Sequence, residues 1–168
     1  MKKLFAFVLV PLVCALVPPS IPAQDKQDFS NIKNFLRIND KICTGGQPSL
    51  DDLARLKADG VKAVINFRLA SEISEINFEE ESAKAKELGL RYFHIPFDNA
   101  NPKSEAADEF LRVMADPANR PVFIHCTTAN RVGAFWMIYR VLKDGWKLEE
   151  AEEEAKKVGL RNAATQAF

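Results

Sequence analysis

A cysteine and an arginine with four residues between them stand out in the segment VFIHCTTANRVG, residues 122–133. Cys126 follows an apolar, β-branched run that predicts a buried strand, and Arg131 opens an apolar stretch that predicts a helix. Backbone N–H groups between them, together with the helix N-terminus, suit the binding of an oxyanion. An arginine fork holds two oxygens of a phosphate at once. The segment therefore predicts an anion-binding loop with a cysteine at its mouth.

The same loop favours the reactive form of the cysteine. Positive potential from the helix N-terminus and from Arg131 stabilises a thiolate over a thiol. A thiolate beside a charge-neutralised phosphoryl group is a competent nucleophile. Taken singly, a cysteine at a strand end is commonly a core residue, and an arginine in a first helical turn is commonly a surface residue. Their combination in one short loop predicts covalent chemistry at Cys126.

Strands and helices that position this loop alternate along the chain. Strands are predicted at 35–38, 41–44, 61–67, 90–96 and 121–125. Helices are predicted from the N-cap Ser49 to Gly60, then at 77–88, from the N-cap Ser104 through 114, at 132–143 and at 148–158. This alternation predicts an α/β domain whose mainly parallel central sheet is flanked by helices on both faces.

Three residues with chemical potential follow the ends of predicted strands. In α/β sheets ligands bind outside the carboxyl ends of the strands. Arg68, Asp98 and Cys126 each follow such an end, so we expect them along one edge of the sheet. We interpret Arg68 and Glu72 as an ion pair that braces this edge.

Four stretches of the chain carry a resemblance to a known superfamily. They are TGGQPS (44–49), GVKAVINFR (60–68), GLRYFHIPFD (89–98) and RPVFIHCTTANRVGA (120–134). On these the chain resembles the cysteine-dependent dual-specificity and protein tyrosine phosphatases, with their His-Cys-x5-Arg loop between a strand and a helix. It looks most like the bacterial branch found fused to NAD kinases or to metallo-β-lactamase-like hydrolases. The resemblance implies hydrolysis without a cofactor, acting on a phosphorylated protein or a small phosphomonoester.

The resemblance also implies roles by position. Cys126 would attack phosphorus and carry a transient phosphocysteine, and Arg131 would stabilise the charge of the transition state. His125 would orient the loop and favour the thiolate. Asp98 would be the general acid that protonates the leaving oxygen, although Asp-Asn is also ordinary turn chemistry. The implied substrate-binding residues are Thr127, Thr128, Ala129, Asn130 and Arg131.

The loop departs from the usual phosphatase pattern in three ways. It has four residues instead of five between cysteine and arginine, a spacing that the fused bacterial domains share. Ala129 stands where glycine is common, which is unfavourable if the backbone there has positive φ. Val132 stands where a Ser or Thr hydroxyl usually stabilises the departing thiolate, and Thr127 or Thr128 is a candidate substitute. Because the loop also resembles that of rhodanese-type sulfurtransferases, two alternatives stay open: sulfur transfer through a Cys126 persulfide, and phosphate binding without catalysis.

The remaining cysteine and histidines point to no metal. His94 and His125 are the only histidines and have no clustered partners in the sequence, so we expect no metal site. Cys43 is predicted to be a core residue. A Cys43–Cys126 disulfide is a further hypothesis, motivated by the predicted export and by the position of both cysteines at strand ends.

The N-terminus predicts export to the periplasm or the exterior. Lys2 and Lys3 precede the apolar run Leu4–Val17, and Ala23 offers a small residue for cleavage, which is the layout of a signal peptide over residues 1–23. The apolar run is shorter than the roughly 20 residues that span a bilayer, so no stable membrane anchor is expected. Residues 24–34 are predicted to be a flexible leader and 35–168 a single domain.

Composition excludes some classes of partner. Cleavage after Ala23 leaves 145 residues, enough for one domain with a real core. It removes two of the 23 basic residues and none of the 23 acidic ones. A chain with this balance has no bulk attraction for nucleic acid or for an anionic membrane. Two remaining cysteines are too few for a disulfide-built scaffold.

Overall fold

The alternating segments form five strands and five α-helices within residues 27–72 and 76–161, the ranges that the computed structural model describes. The strands are β1 (Leu36–Asn39), β2 (Ile42–Gly45), β3 (Ala63–Asn66), β4 (Arg91–His94) and β5 (Val122–His125). The helices are α1 (Leu50–Ala58), α2 (Phe78–Glu87), α3 (Ser104–Ala115), α4 (Asn130–Leu142) and α5 (Leu148–Val158), with a 3-10 turn at Pro117–Asn119. The predicted signal peptide lies outside the described residues.

The strands form one sheet in the order β1-β2-β5-β3-β4. Only β1 is antiparallel to its neighbour, and the other pairings are parallel. The predicted α/β class with a mainly parallel sheet is confirmed. In the register of the sheet, His125 pairs with both Gly45 and Asn66, so these strands end level with one another. The residues after them therefore emerge at the same edge.

Helices cover both faces of the sheet because side chains of a strand alternate between its faces. On β5, Val122 and Ile124 pack with α3, α4 and the end of α5, whereas Phe123 packs with α1 and α2 on the other face. All three side chains are fully buried. Such two-sided burial explains why the strand sequences are almost continuously apolar.

Two helices begin with reciprocal side-chain caps. The Ser49 hydroxyl accepts from the amide of Asp52 at 3.0 Å, and the Asp52 carboxylate accepts from the amide of Ser49 at 3.0 Å. Asn77 and Glu80 do the same for α2. The predicted cap at Ser104 is wrong, because the extended residue before α3 is Lys103 and Ser104 already lies in the helix. None of the described helices is long and apolar enough to cross a membrane.

The described part of the predicted flexible leader is packed against the domain, which corrects the boundary at residue 35. Phe29 and Ile32 are each 2% exposed and belong to the core on the α1 side of the sheet. The amide of Ile32 donates to the carbonyl of Phe29 at 2.9 Å, and the Asn31 side chain donates to Asp52 at 2.7 Å. Large apolar side chains in a polar segment provide the burial that holds it in place.

Candidate active site

The loop between β5 and α4 is fixed by hydrogen bonds that its carbonyl groups accept from residues earlier in the chain. The carbonyl of Thr127 accepts from the amide of Gln47 at 3.3 Å, and that of Thr128 accepts from the side chain of Asn34 at 2.8 Å. In a trans peptide the next N–H points away from the carbonyl, so the Thr128 amide is turned toward the opposite side of the loop. The first amides of α4 have no acceptor within the helix. These are the N–H groups that would contact an anion bound in front of Cys126.

Ala129 holds the turn into α4 in a left-handed conformation. Its φ is 66° and its ψ is 5°, so this position has the positive φ that favours glycine. An alanine in this conformation costs roughly 1–2 kcal/mol relative to ordinary backbone regions. The residue is fully buried, and its methyl group packs against Gly159 at the end of α5. The end of α5 thus supports the loop from behind.

Replacing Gly159 by alanine is expected to destabilise the domain by about 2 kcal/mol or more, because two unfavourable effects combine. Gly159 has a φ of 145°, and a Cβ there would lie 2.9 Å from the Cβ of Ala129. Urea unfolding measures the change in the free energy of unfolding. Gly145→Ala is the matched control, since Gly145 has a φ of 70° but open space around it. Equal losses in the two variants would contradict this packing.

Arg131 is anchored where β3 and β4 leave the sheet. It is 8% exposed, and its Nη1 donates to the carbonyls of Phe67 at 3.0 Å and Phe97 at 3.2 Å. The carboxylate of Glu72 makes a bidentate ion pair with the same guanidinium: Nη1 lies 2.5 Å from Oε1, and Nη2 lies 2.8 Å from Oε2. These contacts engage Nη1 and Nη2.

The structure brings Arg131 and Cys126 together. Burial tends to lower the pKa of Arg131, but the hydrogen bond to Glu72 and the neighbouring Cys126 sulfur outweigh it and raise that pKa above its usual value. The guanidinium therefore stays charged beside the sulfur. Cys126 itself is 1% exposed, at the floor of the loop. A buried cation next to a buried thiol is the arrangement that an anionic nucleophile requires.

Glu72 is a central member of the site, although sequence reasoning assigned it only to Arg68. Its carboxylate accepts from Arg131, from the Thr127 hydroxyl at 2.6 Å and from the amide of Leu69 at 2.7 Å. Its predicted ion pair with Arg68 also forms, at 3.6 Å. Burial would raise the pKa of Glu72, but the hydrogen bonds from Arg131 and Thr127 lower it to about 2. The carboxylate is therefore a permanent anion that fixes the arginine.

The loop side chains divide their tasks differently from the sequence prediction. The Thr127 hydroxyl donates to Glu72 and accepts from Nη2 of Arg131 at 3.2 Å. The idea that Thr127 stabilises the departing thiolate is therefore wrong, because its proton is directed to the carboxylate. The Asn130 carbonyl oxygen Oδ1 accepts from the amide of Arg161 at 2.7 Å, so this side chain ties the loop to the end of α5.

Asp98 combines a turn with a position at the rim of the site. Its Oδ1 accepts from the amide of Ala100 at 2.9 Å, which is the turn chemistry expected of Asp-Asn. It also lines a cavity of about 340 Å³ together with Glu72 and Arg131. Its side chain is exposed, whereas the neighbouring Phe97 is buried. The carboxyl group is thus open to solvent at the same cavity as the guanidinium.

His125 faces away from the cavity, into the opposite face of the sheet. Its Nε2 lies 2.6 Å from Oε1 of Glu81, and both side chains are fully buried. Its ring stacks on Phe123 with centroids 5.5 Å apart. Sequence reasoning missed Glu81 because the acidic run Glu79–Glu81 is typical of an exposed helix start. The available signal was its spacing of four residues from Ala85, which is buried on the same face of α2.

The hypothesis of a Cys43–Cys126 disulfide is wrong. Both cysteines are free and buried, and they belong to the cores on opposite faces of the sheet. Burial raises the pKa of Cys43 to about 12, so it remains a protonated core thiol, as predicted for a core residue. Within the two described ranges, no cluster of three or more His, Cys, Asp or Glu side chains is arranged to hold a metal ion.

Sequence comparison relates almost the whole chain to one family. The profile described as "DSP-PTPase phosphatase fused to NAD+ Kinase" matches residues 23–168. A beta-lactamase hydrolase-like protein of Agrobacterium fabrum is 28% identical over 126 residues, which cover 74% of this chain and 29% of that protein. Its counterpart in Xylella fastidiosa is 25% identical over 116 residues, covering 68% of this chain and 27% of the relative. The chain thus spans less than a third of the length of these relatives.

Solved structures share the fold. A candidate phosphatase (DUF442) of Shewanella putrefaciens has a TM-score of 0.63 at 27% identity, covering 73% of this chain and 77% of that one. The core catalytic domain of the PP-IP phosphatase SIW14 of S. cerevisiae, in complex with citrate, has a TM-score of 0.66 at 21% identity, covering 82% and 83%. TpbA of P. aeruginosa in complex with pTyr has a TM-score of 0.64 at 22% identity, covering 80% and 82%.

Proposed function

We propose, from the premise that this chain belongs to the DSP-PTPase phosphatase family, that it hydrolyses phosphomonoesters through a phosphocysteine on Cys126. The observation that carries the proposal is the proximity of the buried Cys126 sulfur to the buried guanidinium of Arg131, on the loop that leads into α4. Glu72 and the carbonyls of Phe67 and Phe97 hold the guanidinium by Nη1 and Nη2. Phosphate oxygens would bind to this guanidinium and to the amides of the loop.

Two balanced steps use these groups. In the first, the Cys126 sulfur donates its electron pair to phosphorus, the bond to the leaving oxygen breaks, and Asp98 gives that oxygen a proton. In the second, water attacks phosphorus, its proton passes to Asp98, and the thiolate departs with the electron pair of the S–P bond. Arg131 and the amides stabilise the charge on the equatorial oxygens in both steps. Inorganic phosphate and the free enzyme result.

Trapping the intermediate tests this mechanism directly. The purified protein is mixed with an aryl phosphate and quenched in acid within one turnover. It is then digested, and mass spectrometry measures the mass of the peptide that contains Cys126. A phosphoryl adduct on that peptide is expected, and its absence under turnover would overturn the proposal. A parallel incubation with thiosulfate and a thiol acceptor is expected to give no sulfur adduct. A persulfide in that arm, without phosphate release in the other, would favour sulfur transfer.

Asp98→Asn is expected to slow hydrolysis of an alkyl phosphate by about 10²- to 10³-fold, because general acid catalysis contributes factors of this size. Hydrolysis of p-nitrophenyl phosphate should fall less, since its leaving oxygen needs less help from a proton. The substitution keeps the turn, because an asparagine oxygen also accepts from the amide of Ala100. The readout is the ratio of kcat values for the two substrates. Asp108→Asn, an exposed change on α3, is the control. An unchanged ratio in Asp98→Asn would exclude the acid role.

Export is part of the same proposal. The layout of residues 1–23 supports a cleaved signal peptide, and the family match begins at residue 23. When the full chain is expressed in bacteria, the processed protein is expected outside the cytoplasm, with Gln24 as its first residue. Cell fractionation followed by intact-mass measurement checks this expectation. A chain that keeps Met1 and stays in the cytoplasm would contradict it.

A further inference from the structure

We propose that Glu81 is a positioning residue that holds His125 as an imidazolium behind Cys126 and thereby keeps the cysteine sulfur anionic. The proposal deepens the proposed function, since it rests on Cys126 being the nucleophile. Glu81 lies on α2, does not line the cavity shared by Glu72, Asp98 and Arg131, and acts through His125. It is therefore distinct from the residues that would touch a substrate.

Geometry carries the first step. Oε1 of Glu81 lies 2.6 Å from Nε2 of His125, and neither side chain has any exposed surface. His125 is the last residue of β5 and is joined by one peptide bond to Cys126. The carbonyl of His125 accepts from the amide of Phe67 at 3.0 Å, so the strand end is fixed from both its backbone and its ring. A change at Glu81 is thus transmitted to the nucleophile through a single residue.

Energetics carry the second step. A carboxylate without a partner is very costly in a site that excludes water, and a charged imidazole is equally unfavourable there alone. Each member of the pair therefore compensates the burial of the other. Burial tends to raise the pKa of Glu81, but the charge and the hydrogen bond of His125 outweigh it and lower that pKa. Glu81 is therefore held as a carboxylate opposite the His125 ring, which is the counter-charge that the proposed imidazolium requires.

The groups around Glu81 support its charged form. Oε2 of Glu81 accepts from the side-chain amide of Gln47 at 2.8 Å, and that of Asn66 lies 3.4 Å away. Tyr92 stays a neutral phenol, because burial and the charge of Glu81 raise its pKa. Arg68 is a nearby cation that also lowers the pKa of Glu81, and its Nη1 donates to Oε1 of Gln47 at 2.5 Å. Two neutral amides and one guanidinium therefore favour the carboxylate.

These contacts also link the nucleophile to the anion-binding arginine. From Glu81 the series runs through Gln47 and Arg68 to Glu72. Glu72 then forks onto Arg131. Hydrogen bonds join the members of this partly buried series, except that an ion pair joins Arg68 to the Glu72 carboxylate, so the loss of one member leaves its neighbours without a partner. The orientation of His125 and that of Arg131 are thereby set by one network.

The expected direction of the effect follows from the order of the contacts, because His125 is joined to Cys126 and Glu81 contacts only His125 of these two residues. In Glu81→Gln the buried imidazole loses its counter-charge and releases its proton, so one negative and one positive charge disappear together. The positive charge is on the residue next to Cys126, and the negative one lies a further contact away. The potential at the sulfur therefore becomes less positive. The thiolate of Cys126 is then formed only at higher pH.

Two measurements on the mature protein test the proposal. The chain has two histidines, so nitrogen NMR of the wild type reads His125 beside His94 as an internal reference. Both ring nitrogens of His125 are expected to carry protons at neutral pH. The second measurement is the pH titration of ultraviolet thiolate absorbance, taken as the difference from Cys126→Ser. Its midpoint is expected to rise by about one pH unit in Glu81→Gln, a tenfold loss of thiolate at a fixed pH below the midpoint.

Glu79→Gln is the matched control, because it removes the same charge from an exposed position on the same helix. Its midpoint should equal that of the wild type. In a His125→Asn background, Glu81→Gln should cause no further shift, since Glu81 acts through His125. A neutral His125 in the wild type, or a folded Glu81→Gln protein with the wild-type midpoint, would overturn the proposal. Neither readout uses phosphate hydrolysis, so failure here is distinguishable from failure of the proposed phosphatase activity.

Discussion

Hydrolysis of an aryl phosphate is expected to fall by at least about 10⁴-fold when Cys126 is replaced by serine, as for removal of other catalytic nucleophiles. A serine hydroxyl is far less acidic than a thiol, so the positive potential of the loop leaves it protonated and weakly nucleophilic. The change removes no packing volume of consequence at this buried position. Release of inorganic phosphate, followed under saturating substrate, measures kcat.

Cys43→Ser provides the control for that experiment. Cys43 is the other cysteine of the described residues, and it is buried on the opposite face of the sheet. Its substitution should lower the free energy of unfolding, because a hydroxyl replaces a buried thiol, while kcat stays close to the wild-type value. Wild-type activity in Cys126→Ser would remove the covalent mechanism, whatever the behaviour of the control.

Replacing Arg131 by lysine is expected to lower kcat/KM by about 10³-fold, the size of effect seen when a donor that stabilises an oxyanion is removed. A lysine keeps the positive charge but has no fork for two oxygens. It also leaves the two carbonyls and the carboxylate that hold the guanidinium without their donors. Steady-state kinetics with an aryl phosphate supply the measurement.

Arg140→Lys is the matched control for Arg131→Lys. Arg140 lies on the same helix and also forms ion pairs, with Glu154 at 2.6 Å and Asp144 at 2.7 Å, but it is remote from the cysteine loop. Its change should reduce stability modestly and leave kcat/KM within about twofold, because the ion pairs of partly exposed groups contribute little. Equal kinetic losses in both variants would mean that helix stability, and not anion binding, explains the effect.

The arrangement around Arg131 shows how one guanidinium can serve two anions. Glu72 binds Nη1 and Nη2 of Arg131 and neutralises part of the charge of the guanidinium, which tends to weaken phosphate binding. The same contact fixes the plane of the guanidinium, so that little rotamer freedom is lost when a phosphate arrives. The carboxylate remains charged down to a pH of about 2, the value of its pKa. Positioning of the arginine is therefore insensitive to pH across the range in which a thiolate nucleophile operates.

Local sequence determined the elements of this protein. The continuous buried runs of β3 and β5, the apolar faces of the helices and the Ser49–Asp52 capping box depend on residues within one or two turns of each other. Such signals predict strands, helix starts and a parallel sheet with Cys126 at its carboxyl edge. The covalent order of the loop likewise fixes a cysteine and an arginine around one turn.

Only the tertiary structure decided which side chains meet. Arg131 and Glu72 are 59 residues apart in sequence, and Thr127 and Glu72 are 55 apart. No local pattern marks Glu81 as the partner of His125, or Phe29 as a core residue in a polar segment. These pairings arise because a sheet brings its strand ends together and because its two faces separate Cys43 from Cys126. A buried charge finds its partner by the topology of the sheet, whereas an element forms by the periodicity of its own residues.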